Sequence, residues 1–189
     1  KDPSGYYKIT KIFKGQNWDR VTRSPLTEIG VNAKEGDYII AINGTKTSDV
    51  VNINQLLIAT ADKQVKLTLN SKPSEEGSRV VTVVPTNDEQ KLIYYNWVEE
   101  NYEKVNKATN GRVGYLHIPN MGSEGLNEFV KHFYAQLSKE ALIVDDRGNG
   151  GGNVSPHIIE RLRREPVQVT LMRNSMPSFE PNEQIIGPK

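Results

Sequence analysis

Apolar and polar positions alternate along residues 6–13 (YYKITKIF), with Tyr7, Ile9 or Thr10, and Ile12 trading faces with Lys8 and Lys11. That period predicts a strand, which Gly15 ends. Ser24-Pro25-Leu26 is turn chemistry. DYIIAI over residues 37–42 reads as a buried strand running into the tight turn Asn43-Gly44, where the chain reverses as in a hairpin. VNINQLLIATA over residues 51–61 puts Ile53, Leu56, Leu57 and Thr60 at helical spacing. Residues 65–69 and 79–84 alternate again as strands, joined by the loop KPSEEG.

From residue 87 the period changes. NDEQKLIYYNWVEENYEKVNKAT predicts one long helix ending at Asn110-Gly111, a pair suited to the left-handed residue that terminates helices. The domain boundary is therefore expected at 85–87. Beyond it the pattern predicts strand 112–118, helix 125–137, strand 141–145, a glycine-rich loop, helix 156–164 and strand 167–172. Such alternation argues for a parallel α/β sheet. Residues 174–189, rich in Pro, Ser and Asn, are expected to stop without a closing element, as in an excised piece with a sheet edge left open.

Composition narrows the function classes. Lys and Arg total 24 against 23 for Asp and Glu, and a split at Pro85 gives about +3 before it and about −2 after. Neither half has the basic excess that nucleic acid demands. No run of about 18 apolar residues is available for a membrane span. With no cysteine, thiolate chemistry and disulfides are excluded, and the three histidines come without a carboxylate cluster at metal-ligand spacing, so no metal or other cofactor is expected.

Ser24-Pro25-Leu26, Gly30-Val31 and the run KEGDYIIAING at 34–44 together resemble the PDZ domains associated with bacterial proteases. The resemblance implies a groove between the strand near Tyr6 and the helix near residues 52–61, where a peptide adds as an extra strand and its C-terminal carboxylate meets loop amides. The residues it points to are Gly5, Tyr6, Tyr7 and Ile9 on the loop and strand, with Asn54, Leu57 and Ile58 on the helix side. An open strand edge supplies uniform affinity and helix side chains set preference.

YNWVE at 95–99, GRVGYLHIPNM at 111–121, GLNEF at 125–129 and LIVDDRGNGGG at 142–152 are similar, in order and spacing, to the tricorn core protease within the C-terminal processing (tail-specific) serine peptidases. The fold then expected is α+β and α/β: a PDZ-like β-barrel domain over residues 1–86, followed over 87–189 by an incomplete α/β (βαβ, crotonase-like) serine peptidase core.

A buried strand, ALIVD, delivers the chain to the carboxyl end of a sheet, where glycines let backbone N–H groups converge on a ligand. Such a nest can hold the oxyanion of a tetrahedral acyl intermediate, worth roughly 3–4 kcal/mol per donor. The resemblance names Gly152 as the donor, with Asp145, Arg147, Asn149, Gly150 and Gly151 supporting the loop. Asp145 and Asp146 invite reading as an acid–base pair, but Asp145 and Arg147 are expected to bond each other and the loop amides. The loop lacks the Gly-Lys-Ser/Thr ending of a P-loop and the distal acidic residue of a dinucleotide fold. Ser155-Pro156-His157 is expected to cap a helix through Ser155, with His157 turned away.

The resemblance places the base histidine before the PDZ domain and the nucleophilic serine after the loop, outside this chain. It implies a fragment of a peptidase, inactive alone, whose full-length form acts on peptides or unfolded polypeptides as a cytoplasmic homo-oligomer, or alternatively a periplasmic one. The competing expectation is a non-catalytic PDZ scaffold with a degenerate α/β domain.

Overall fold

A computed structural model describes all of residues 1–189 and divides the chain into two compact units, Lys1–Asn96 and Trp97–Lys189.

In the first unit strands β1 (Tyr7–Lys8), β2 (Tyr38–Ile42), β4 (Val65–Asn70) and β5 (Arg79–Val83) form an antiparallel sheet in the order β1-β2-β4-β5, and β3 (Thr45–Lys46) pairs with β2. Alternation decides which face is buried: Val65, Leu67 and Leu69 of β4 oppose Val83, Val81 and Arg79 of β5, and the apolar members pack with Ile9, Val31 and Ile42. Asn43 and Gly44 both take positive φ, 49° and 84°, which is the two-residue hairpin turn expected from their identities. Asn43 also accepts the Lys66 N–H through its Oδ1, tying the turn to β4.

Two sequence expectations fail here. The strand expected over 6–13 is only Tyr7–Lys8 by pairing. Ile9 still exchanges bonds with Asp37 and Gly36, but β2 begins at Tyr38, so residues 10–13 have no strand opposite them on that side, and the Ile12 N–H turns to the Glu35 carboxylate. The helix expected over 51–61 is a 3-10 turn, Ile53–Leu57. Asn52 caps it at Asn54 N–H, while Ile58 is extended and Ala59 is left-handed at φ 57°. A β-branched residue followed by a left-handed one cannot carry an α-helix onward.

Helix α1 (Gln90–Ala108) begins where Asp88 accepts the Gln90 N–H and ends in Asn110 and Gly111, both at positive φ, with Gly111 N–H returned to Asn106. In the second unit β6 (Val113–His117) pairs in parallel with β7 (Ala141–Asp145), connected through α2 (Ser123–Tyr134). Leu116 of β6 meets Phe129 and Phe133 of α2 in a core completed by Ile118, Leu142, Ile158 of α3 (Ser155–Leu162), and Ile185.

The strand expected at 167–172 is β8 (Gln168–Thr170), and it does not extend the parallel sheet: it forms an antiparallel hairpin with β9 (Ser178–Glu180). Local reversal through Asn174, at φ 65°, closes a far shorter loop than a parallel crossover. Nor does the tail stop loose. Ile185 is 1% exposed, Leu142 N–H donates to Pro188 C=O, and Gly187 lies so close to Glu140 that a Cβ would sit 1.7 Å from its carbonyl oxygen.

Candidate active site

The parallel pairing of β6 and β7 sets His117 opposite Asp145 and Tyr115 opposite Ile143. Side chains two residues apart share a face, so Tyr115, His117 and Asp145 gather on one side of the sheet. Asp145 is the anchor. Its carboxylate accepts from the Arg147 N–H (3.0 Å), from the Arg147 guanidinium through Nε (2.9 Å) and Nη2, and from the Tyr115 hydroxyl (2.7 Å). The Arg147 bonds hold this carboxyl well below the usual carboxylate range, more than offsetting the upward push of burial. Burial first, and then the bond to Asp145, pushes the Tyr115 hydroxyl up to about 12. Arg147 also lies over the Trp97 ring, 5.3 Å from its centroid, and Trp97 meets His117 edge-on at 4.8 Å. Asp146 is exposed and lends only its carbonyl, to Asn149 N–H. The two aspartates therefore do not form an acid–base pair.

Past Arg147 the loop is fastened to the extension of β6 residue by residue. His117 Nε2 bonds Arg147 C=O (2.9 Å), Asn149 Nδ2 donates to Ile118 C=O (3.0 Å), Gly150 N–H donates to Pro119 C=O (3.2 Å), and Met121 N–H donates to Gly151 C=O (2.7 Å). Asn149 Oδ1 accepts the Gly151 N–H in addition. Met121 C=O then takes Asn153 N–H and Val154 N–H, at 2.7 and 2.9 Å, just before α3 starts.

Gly152 sits inside this clasp as a parallel bridge partner of Met121. Because the bridge is made by Gly151 C=O and Asn153 N–H, the N–H of Gly152 itself faces away from Met121 and has no partner in the chain. No other residue fits: φ is 144°, and a Cβ would lie 2.1 Å from Met121 O. Among Gly150, Gly151 and Gly152, that of Gly152 is the one N–H left exposed and unbonded.

Ser155 and His157 do not form a nucleophile and base, and Ser155 does not cap α3 either. Val154 occupies the capping position, Ser155 is the first helical residue, and its hydroxyl makes no capping bond. Met121 C=O has already oriented Val154, and Pro156 needs no partner for a missing N–H. His157 is exposed, and His132 lies 3.2 Å from Glu128 on α2. No group of three or more His, Cys, Asp or Glu stands at metal-binding distance.

In the first unit the residues expected to line a peptide groove are dispersed. Ser4 N–H and Gly5 N–H turn inward onto Asp2, to its Oδ1 and its carbonyl, and Tyr6 C=O takes Asp2 N–H. Tyr7 reaches across to the 3-10 turn, donating its hydroxyl to Val51 C=O and accepting Ile53 N–H. Ile9 is buried in the core with both backbone groups bonded toward β2. Leu57, Ile53, Ile12 and Phe13 help line an apolar cavity of about 350 Å³, whereas Asn54 and Ile58 stand exposed outside it. Asn96 of α1 closes the far end of that edge, its amide bonding Lys14 N–H (3.0 Å) and Lys14 C=O (2.7 Å).

Sequence reasoning missed His117, Tyr115, Trp97 and Asn96 as parts of these arrangements. The first two had a legible signal, since alternation plus the parallel register already puts them beside Asp145.

Two family models match the chain, the tricorn protease PDZ domain over residues 1–88 and peptidase family S41 over residues 112–178. Tricorn protease homolog 1 of Streptomyces coelicolor is 35% identical over 185 residues, 97% of this chain and 17% of that protein. The tricorn protease homolog of Saccharolobus solfataricus is 37% identical over 192 residues, 96% of this chain and 17% of that protein. A crystal structure of the tricorn protease superimposes with a TM-score of 0.82 at 33% identity, covering 96% of this chain and 18% of that one. The chain spans about a sixth of the length of the curated relatives it matches.

Proposed function

We propose that this chain, which belongs to the tricorn-type proteases, supplies one oxyanion donor to a serine peptidase acting on peptides or unfolded polypeptides. The observation that carries the reading is the Gly152 N–H, fixed by Met121 on both sides and left without a partner. Attack on a scissile carbonyl moves negative charge onto its oxygen, and a donor already in place stabilises that charge with no reorganisation at the moment of reaction. The resemblance to the tail-specific serine peptidases implies that the serine nucleophile and its histidine base come from outside residues 1–189, and Ser155 and His157, two positions apart on α3, do not face each other. The chain alone is then inactive.

Exchange of Gly152 for glycolic acid in the full-length protein tests the role, since an ester linkage deletes only the N–H. Turnover of a fluorogenic peptide amide should fall by about a hundredfold to a thousandfold. An undiminished rate, or turnover by the 189-residue chain that Ser155→Ala abolishes, refutes the reading.

For the first unit we propose a closed PDZ fold rather than a reader of C-terminal carboxylates. The supporting observation is that Asp2 already holds the Ser4 and Gly5 amides that a carboxylate would need.

A further inference from the structure

Of the four ties between the β6 extension and the glycine loop, three engage β6 through its backbone and one through a side chain, that of His117. A carbonyl oxygen only accepts, so His117 Nε2 carries the proton and donates it to Arg147 C=O. The ring is 4% exposed and is set by the perpendicular contact with Trp97. Arg147 is consequently held at both ends, its guanidinium by Asp145 and Trp97 and its carbonyl by His117. Immediately after it comes Gly148, at φ 74°, with no atom within 4 Å of where a Cβ would point. The turn through that glycine is held on its two sides, by the Arg147 carbonyl tie to His117 before it and by the Asn149 bonds to Asp146 C=O and Ile118 C=O after it, so the Arg147 tie is one of the bonds that set the direction of the chain entering residues 149–152.

We propose that His117 is a positioning residue for the peptidase reaction: its Nε2–H fixes the Arg147 carbonyl at the entry to the loop, and together with the Met121 bridge this sets the aim of the Gly152 N–H. The inference rests on the reading of Gly152 as oxyanion donor. His117 touches neither substrate nor the reacting atoms. Its effect is on the transition state, where a donor displaced by a fraction of an ångström loses much of its value, and not on binding of the substrate in its ground state.

The test uses the full-length protein with a fluorogenic peptide amide, and the ¹⁵N-labelled 189-residue chain for NMR. His117→Ala should lower kcat at least about tenfold with KM nearly unchanged. His117→Gln, which keeps an N–H donor at the end of the side chain, should recover most of the rate. In the labelled chain the Gly152 amide resonance should move in His117→Ala and return toward its original position in His117→Gln. A His117→Ala rate within about twofold of wild type overturns the proposal, as does equal impairment of both variants, which would mean that the ring serves packing alone. The glycolic acid variant at Gly152, assayed in parallel, separates the two claims. If it keeps the wild-type rate, the donor assignment is wrong and the inference falls with it. If it loses activity while His117→Ala does not, only the role of His117 fails.

Discussion

Replacing Gln136 by methionine removes a bond set that closes the outer edge of β6. The Gln136 Oε1 accepts Tyr115 N–H at 2.9 Å, and its Nε2 donates to Tyr115 C=O at 2.9 Å and to His132 C=O at 2.8 Å. Gly114 permits the approach, because a Cβ there would lie 2.8 Å from Oε1. Gln136 and Tyr115 are each 4% exposed, so water cannot take over. Two stranded backbone groups cost about 1–3 kcal/mol each, and the thioether recovers about 1–2 kcal/mol through added apolar burial. The net loss should be about 3 kcal/mol. For a unit of this size that lowers the urea midpoint by about 2 M, followed through Trp97 fluorescence in a Trp18→Phe background. Gln136→Glu supplies the sign check. A protonated carboxyl can both donate and accept, so its stability should be greatest below about pH 4 and lost as pH rises and the buried group ionises. A Gln136→Met loss under about 1 kcal/mol would refute the edge-closing role.

Two further outcomes follow. One tyrosinate transition, followed by absorbance near 295 nm, should be delayed to about 12 and belong to Tyr115, moving down in Asp145→Asn; the stability tied to it is present below about pH 10 and lost as pH rises through about 12. Peptides with free C-terminal carboxylates should leave the amide resonances of residues 6–13 in place in the wild-type chain, and carboxylate-dependent shifts would refute the closed-groove proposal.

Much of the fold was legible because it follows from local period and turn chemistry. β4 buries Val65, Leu67 and Leu69 and β5 buries Val81 and Val83, β7 has the bounds its ALIVD run predicts, and Asn43-Gly44 and Asn110-Gly111 adopt the positive φ that asparagine and glycine tolerate. The misreadings lie where period is ambiguous or the partner is distant in sequence. Ile53, Leu56 and Leu57 suit a 3-10 turn as well as an α-helix, and only Ala59 decides between them. Nothing local in residues 174–189 announces that Ile185 will enter the core or that Pro188 will meet Leu142. In the candidate site the glycine run and its aspartate–arginine anchor could be read from spacing, whereas the tie from His117 to Arg147 spans 30 residues and depends on the β6–β7 register.

Carboxamides recur where backbone at a sheet edge, or at or beyond a strand end, would otherwise stand open: Asn96 on Lys14, Gln136 on Tyr115, Asn43 on Lys66, and Asn149 between Ile118 and Gly151. A side-chain amide offers the donor and acceptor of a peptide group without a charge, so it can end a ladder at lower desolvation cost than a lysine or glutamate. The three sheets have five, two and two strands, and a small sheet has a large share of its strands at an edge. Within the glycine loop the same device has a second consequence. Asn149 takes the Gly151 N–H and Pro119 takes that of Gly150, so the nest cannot present three convergent amides to an anion. Of the three consecutive glycines only Gly152 keeps its N–H free, which suits a single oxygen atom and not the several oxygens of a phosphate. The geometry of the loop therefore disfavours nucleotide binding independently of motif, and it leaves room for a second oxyanion donor to come from another part of the full-length protein.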